Sequence, residues 1–244
     1  MGKIRVNKLA SKDAVMRQFR DGQSIMVGGF NKVGVPGTLV RWLEESGVKD
    51  ITLIVNNCSN AEGSIWSPAA KMIKDGRVSH LKISYIATNS DVCALYEAHV
   101  LDIEIIPQGT LAERIRAGGC GIGGFLTTVG VGTMIAEGKQ EITINGIKYV
   151  LEMPLAADLA LVKASLADPM GNGLCFGTSK NFNPAMASAA SYVMLETDRL
   201  VPVGEIGYEH VDVAGIYVDM VIPSAEEKAC STCGNLLPKT WHPS

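Results

Sequence analysis

At 244 residues, with 47% hydrophobic and 19% charged side chains, the chain can bury a sizeable core and has an ordinary globular balance. A net charge of -3 with no run of Lys or Arg argues against nucleic-acid partners and an anionic membrane surface. Lys3, Arg5 and Lys8 interrupt any signal-peptide core, and no apolar run approaches the ~20 residues that span a bilayer, so the sequence reads as soluble and cytoplasmic.

Ser11–Arg20 predicts a helix, with Ser11 as cap, Asp13 in the first turn, Val15 and Phe19 on one face, and Gly22 as a stop. Asp21–Pro36 follows: Ile25, Met26 and Val27 form a β-like run, Gly28 and Gly29 come next, and the turn closes at Gly34. Pro36 suits the first turn of a helix, because its φ is already helical and its missing N–H is no loss there. Strand, glycine turn and helix start together form a place where backbone N–H groups converge on an anion. The spacing is neither Gly-x-Gly-x-x-Gly nor a P-loop, so a tight turn without ligand stays open. The helix from Pro36 to Ser46 carries Leu39, Val40 and Leu43 inward, and Gly47 ends it.

The alternation repeats. Ile51–Val55 reads as a strand buried on both faces, ending in Asn56-Asn57. Pro68–Asp75 reads as a helix, Leu81–Ile86 as a strand, Asp91–Ala98 as a helix and Ile103–Ile106 as a strand followed by Pro107-Gln108-Gly109. Thr110 to Glu113 fits a capping box, which starts a helix there, with Leu111 and Ile115 inward and Gly118 as its stop. This pattern predicts an α/β fold with a mostly parallel central sheet and helices on both faces. Ligands of such sheets bind beyond the carboxyl ends of the strands, where Gly28–Gly34, Asn56–Asn57 and Pro107–Gly109 all fall.

Gly118–Gly132 holds seven glycines in fifteen residues, interleaved with Ile122, Phe125, Leu126 and Val129, which favours an ordered loop over a solvated linker. Glu141–Val150 predicts a hairpin about Asn145-Gly146, the signature of a type I′ turn. Ala157–Ala164 and Tyr192–Glu196 read as strands, Asp168–Gly173 as a turn, and Gly215–Val218 and Val221–Ile222 as short strands. Residues 1–222 read as one domain and 223–244 as a tail. Cys58, Cys93, Cys120 and Cys175 are scattered like buried hydrophobes; Cys230 and Cys233 are open to half a zinc site with His242, a redox pair or a solvated tail, and without a fourth ligand no metal is assigned.

Three stretches carry a resemblance: Asp21–Pro36, Pro107-Gln108-Gly109-Thr110-Leu111-Ala112-Glu113-Arg114 onward to Gly119, and Gly123-Gly124-Phe125-Leu126-Thr127-Thr128-Val129-Gly130-Val131-Gly132-Thr133. With Asp158–Ala164 and Asn181-Phe182-Asn183-Pro184, they resemble the α (A) subunit of class I (3-oxoacid) CoA-transferases, most like the bacterial acetate/butyrate–acetoacetate branch. The resemblance implies ping-pong transfer of coenzyme A from an acyl-CoA to a free carboxylate. It places the nucleophilic glutamate on a separate β subunit, so this chain holds no catalytic residue and is inactive alone. Coenzyme A is then a substrate rather than a resident cofactor, and the partner is a β subunit in an α2β2 or larger assembly. By the same match Gly28, Gly29, Phe30, Asn31, Lys32, Val33 and Gly34 lie against coenzyme A, while Asn56 and Gln108 support the substrate pocket. Lys32 is either a phosphate partner or a solvated loop lysine, and Asn57 is open to an Asx-turn. Glu45-Ser46-Gly47 is similar to the β subunit's glutamate motif, but at the end of an amphipathic helix Glu45 reads as a surface charge. The alternatives are a 3-oxoadipate or succinyl/3-oxoacid CoA-transferase subunit, or a non-catalytic phosphate-binding sensor of similar fold.

Overall fold

Short, mostly apolar runs build the sheet, and amphipathic helices cover it. The computed structural model of the protein describes residues 7–58 and 70–225. The start of the helix expected from Pro68, and the tail with Cys230, Cys233 and His242, lie outside the described residues. The first half runs α1 (Lys12–Met16), β1 (Ser24–Val27), α2 (Gly37–Glu45), β2 (Ile51–Asn57), α3 (Ala70–Lys74), β3 (Val78–Tyr85), α4 (Ser90–Glu97), β4 (Asp102–Ile105) and α5 (Gln108–Gly119). The second adds β5 (Phe125–Thr127), β6 (Glu141–Ile144), β7 (Ile147–Glu152), β8 (Ala157–Ala167), β9 (Gly173–Leu174), α6 (Asn183–Ser188), β10 (Ala190–Leu200) and β11 (Met220–Pro223).

The main sheet has the order β11-β10-β8-β1-β2-β3-β4, with every neighbour parallel; β9 pairs antiparallel to β8. Side chains alternate across it. Ile25 and Val27 join a core with Val15, Leu39, Leu43, Met72 and Val92 of α1–α4, while Met26 joins Leu111, Ile115 and Met186 of α5 and α6 on the other face. The expected α/β architecture with helices on both faces is therefore present. Lys8–Ala10 runs beside β11: Leu9 bridges Val221, and the Val221 N–H donates to the Lys8 carbonyl. At the opposite edge β4 carries cross-strand polar pairs, His80–Asp102 at 2.7 Å and the ion pair Lys82–Glu104 at 2.5 Å.

The glycine-rich segment is ordered and contributes β5 to a small antiparallel sheet, β5-β7-β6. Asn145 and Gly146 both take positive φ, 50° and 78°, as the type I′ hairpin requires. A chain of charges fastens this sheet to the large one. Arg114 of α5, nearly buried, reaches Glu104 of β4 at 2.5 Å and the Met153 carbonyl at 2.9 Å, and Lys139 reaches the buried Glu152 at 2.6 Å.

Several boundaries differ from expectation for identifiable reasons. Ser11 does accept from the Ala14 N–H, yet α1 stops at Met16, short of Arg20. Pro36 sits at the N-cap of α2 rather than inside it, with ψ at 73°. Asn56 and Asn57 belong to β2 itself. The capping box does not form, because α5 already starts at Gln108 with the Pro107 carbonyl accepting the Leu111 N–H at 2.8 Å; Thr110 is buried and Glu113 pairs with Arg116. Nor does Gly118 end that helix. A Cβ there would lie 2.3 Å from the Leu155 carbonyl oxygen, so glycine allows the helix to touch the approach to β8. Gly215–Tyr217 is a 3-10 turn instead of a strand, closed by the Tyr217 N–H on the Ala214 carbonyl.

Leu53 is fully buried between β1 and β3, so Leu53→Ala is expected to cost about 2–5 kcal/mol in urea unfolding, and Ile147→Ala, half exposed, less than about 0.5 kcal/mol. Burial opposes ionisation of Glu104, but hydrogen bonds from Lys82 and Arg114 outweigh it and hold its carboxyl below the ordinary range. A depressed folded-state pKa means the stabilisation is present above the ordinary value of 4.5 and is lost as pH falls through the folded value. Glu104→Gln should therefore lower the thermal midpoint at neutral pH, with the gap closing as the buffer is acidified below about pH 4.5.

Candidate functional site

The winding reverses at β1. The strands β1 to β4 step outward one way, and β8, β10 and β11 step the other, so β1 has β2 on one side and β8 on the other. In open parallel sheets this switch point opens a crevice beyond the carboxyl ends of the strands. Gly28–Gly34 leaves the sheet there.

The loop is a tight turn: the Phe30 N–H donates to the Val33 carbonyl and the Val33 N–H returns to Phe30, both at 3.0 Å, with Asn31 at φ 53°. Phe30, Asn31 and Lys32 are exposed at its tip, Val33 and Gly34 are half-buried, and Gly28 and Gly29 are buried. The loop N–H groups of Gly28, Phe30, Asn31 and Val33 all donate within the protein, so they are not the converging anion donors that the strand–turn–helix pattern led one to expect. The exposed tip carries the Phe30, Asn31 and Lys32 side chains on a fixed backbone shape.

The three polar loops do meet. Asn57 is buried and binds the tip reciprocally: the Asn31 N–H donates to its Oδ1 at 3.0 Å, and its Nδ2 donates to Asn31 Oδ1 at 2.7 Å. It thus links two elements rather than forming a local Asx-turn. Asn56, also buried, donates to Gln108 Oε1 at 2.6 Å and to Ser84 Oγ at 3.0 Å, and Ser84 lies 2.7 Å from the same Gln108 oxygen. With its oxygen held from behind, exposed Gln108 presents its amide NH2 as donor at the open end. The result is a neutral, donor-bearing wall that can polarise a carbonyl or orient a carboxylate without adding charge.

Three residues that shape the site were not singled out from the sequence for any role. Asn183 is fully buried at the start of α6; its Nδ2 donates to the Gly34 and Ser179 carbonyls at 2.9 Å, and its Oδ1 accepts the Lys163 N–H at 2.9 Å. Asn181 beside it donates to the Val33 carbonyl at 3.1 Å. A Cβ on Gly28 would lie 1.9 Å from Asn183 Oδ1, and one on Gly34 would lie 2.9 Å from Asn183 Nδ2. The glycines are thus required on the protein side of the loop. Glu196 of β10 is fully buried, accepts the Thr38 and Leu39 N–H groups of α2, and faces Lys163 at 3.4 Å and Ser224 at 3.0 Å. Burial pushes the Glu196 carboxyl upward, against Lys163, the Leu39 N–H and Ser224. Burial also opposes charge on Lys163, but Glu196 and Asp198 together hold its pKa above the ordinary lysine value. The available signal was Lys163 inside the apolar stretch Leu-Ala-Leu-Val-Lys-Ala and Glu196 at the end of another, Tyr-Val-Met-Leu-Glu.

Burial pushes the Cys58 and Cys175 thiols up to about 12, so neither is a thiolate nucleophile at neutral pH. Glu45 is exposed and ion-paired to Lys12, the surface charge expected of it. Among the described residues no helix is long and apolar enough to cross a membrane. A cleft of about 410 Å³ lined by Gln18, Arg20, Asp158 and Tyr192 lies at the amino edge of the sheet, opposite the amide wall, and Asp158 there is committed to Ser24.

The sequence profile described as "Coenzyme A transferase" matches residues 8–224, nearly the whole described fold. The chain belongs to the coenzyme A transferase family. It is 44% identical over 210 residues to the alpha subunit of the acetate CoA-transferase of Escherichia coli, covering 86% of this chain and 94% of that one. It is 42% identical over 204 residues to an acetoacetyl-CoA:acetate/butyrate CoA transferase alpha subunit of Clostridium acetobutylicum, covering 84% and 92%. One subunit of the 3-oxoadipate CoA-transferase of Pseudomonas putida is 40% identical over 213 residues, covering 86% and 90%. Among solved structures the fold matches an acyl-CoA transferase of Escherichia coli with a TM-score of 0.80 at 17% identity, covering 93% of this chain and 49% of that one. It also matches the glutaconate coenzyme A-transferase of Acidaminococcus fermentans at 0.75 and 21% identity, covering 89% and 75%.

In this transferase subunit Gly28→Ala drives a methyl into the buried Asn183 amide and should destabilise by about 1–3 kcal/mol. The check is a double-mutant cycle with Asn183→Ala, whose denaturant midpoints should show strong coupling between the two sites.

Proposed function

We propose that this chain is the α subunit of a short-chain acyl-CoA:carboxylate CoA-transferase that exchanges coenzyme A between acetoacetyl or butyryl and acetyl groups. Its partner is a β subunit, in an α2β2 or larger assembly. The observation that carries this reading is the meeting of the glycine loop with the neutral Asn56–Ser84–Gln108 wall at the switch point of the sheet. The near full-length likeness to α subunits of acetate and acetoacetate enzymes supports the substrate class.

In the proposed reaction a β-subunit glutamate carboxylate attacks the acyl-CoA carbonyl, and the C–S bond breaks to leave a mixed anhydride and coenzyme A thiolate. The thiolate then attacks the glutamyl carbonyl, giving an enzyme thioester and releasing the first carboxylic acid. The acceptor carboxylate reverses both steps. A carboxylate nucleophile suits this exchange because its anhydride is reactive in both directions. This chain contributes the loop 28–34 as a surface for coenzyme A, with Lys32 near its phosphates. Gln108, braced by Asn56, donates to the oxygen that gains negative charge in each addition. Residues 1–222 act as one domain and 223–244 as a tail whose first residues stay on the fold, Pro223 ending β11 and Ser224 and Ala225 binding Glu196 and Thr38.

A second reading, transfer to 3-oxoadipate, is favoured by the Pseudomonas putida relative, whose identity is nearly as high. The deciding assay is transfer from acetoacetyl-CoA to acetate and, in parallel, to 3-oxoadipate, by this chain alone and with its β subunit. Activity with acetate only in the complex, abolished by changing the β-subunit glutamate, is the expected result; preference for 3-oxoadipate would select the second reading. Gln108→Ala in the complex should lower kcat by about 10²-fold. Activity of the isolated chain would overturn the half-enzyme assignment.

A further inference from the structure

Glu196 has no surface for substrate, yet it is a carboxylate fully buried at the edge of the sheet that carries the site. Its Oε2 accepts two consecutive backbone N–H groups, Thr38 at 2.8 Å and Leu39 at 3.1 Å, which are orphan donors of the first turn of α2. Its Oε1 faces the Lys163 ammonium at 3.4 Å and the Ser224 hydroxyl at 3.0 Å. Lys163 is also held by Asp198 at 2.8 Å, and the Lys163 N–H is the donor that fixes Asn183. A negative charge at a helix N-terminus is favourable, and here no capping side chain precedes the helix: Pro36 stands at the N-cap and offers none. Glu196 therefore supplies the cap from a strand 158 residues away in sequence. The first turn of α2 begins three residues after Gly34, so whatever fixes it also fixes one end of the glycine loop.

We infer that Glu196 is a positioning residue for coenzyme A. By capping α2 it holds the glycine loop in the conformation that receives the cofactor-like substrate, with the Lys163 ammonium facing its other oxygen. The inference rests on the proposed role of the loop. It makes a specific demand on chemistry. Glutamine at 196 cannot serve all four donors, because its NH2 must face either the α2 N–H groups or the Lys163 ammonium. Removing the ammonium relieves the conflict: with Lys163→Met, the glutamine oxygen can accept from Thr38 and Leu39 while its NH2 donates to Ser224. Asp198, 40% exposed, then finds water in place of Lys163.

The test uses the complex with the β subunit, with acetoacetyl-CoA and acetate as substrates. Glu196→Gln should raise the acetoacetyl-CoA KM about tenfold or more, with the acetate KM and kcat changed less than about threefold, since the loop binds substrate and transition state alike. Adding Lys163→Met to Glu196→Gln should bring the acetoacetyl-CoA KM back to within about threefold of the native complex. Hydrogen exchange is the independent arm: the Thr38 and Leu39 amides should lose protection in the single variant and regain it in the double. Equal rises in both KM values, or no rescue by Lys163→Met, would overturn the inference, as would unchanged protection of the two amides. If the native complex transfers no coenzyme A to any acceptor tried, the functional reading fails and the coenzyme A part of the inference with it. The exchange arm then still decides whether Glu196 caps the helix.

Discussion

The carboxamide of Asn183 is the constraint on which the rest of the site depends. One planar group, with no exposure, ties the Gly34 carbonyl, the Ser179 carbonyl and the Lys163 N–H into one unit. Burying an amide is costly unless its donors and acceptor are met, and here they are met by backbone from three separate segments. The geometry then dictates composition around it. Any Cβ at Gly28 would overlap the carboxamide oxygen, so the residue after β1 has to be glycine. What looks in sequence like a loop kept bare for its ligand is kept bare for a buried asparagine.

Charge is handled differently on the two sides of β1. Toward β2 and β3 the edge is lined by Asn57, Asn56, Ser84 and Gln108, all neutral and hydrogen-bonded into the wall and the loop tip. Toward β8 and β10 it holds Lys163, Glu196 and Asp198, with the one ammonium shared between the two carboxylates close to the backbone of α2. The neutral side suits a reaction in which carboxylates must approach carbonyls, because a fixed anion would repel them and a fixed cation would bind them too well. The charged side is sealed against the protein and acts on the loop mechanically.

Strands and helices as far as Pro107 could be read from the sequence because buried parallel strands are unbroken apolar runs and the helices show their apolar faces at three- and four-residue spacing. The convergence of the three loops followed from the parallel-sheet rule alone. The limits have equally physical causes. Thr110 and Glu113 have the residues of a capping box, but Pro107 already supplies the first helical carbonyl and the helix starts there. Gly118 has the look of a stop, yet it serves a contact with Leu155 that local sequence does not encode. Asn183 and Glu196 act on residues 149 and 158 positions away, and only the pairing of β8 with β1 and β10 brings them there. The motif containing Asn183 was recognisable, but its role was not.

Both borders of the large sheet are closed in their own way. Lys8–Ala10 lies along β11, and β4 is a four-residue strand carrying Asp102 and Glu104, each paired with a basic side chain of β3. Short, charged or covered borders resist growth by addition of another chain's strand. A companion's strand therefore finds no open border on this sheet to extend.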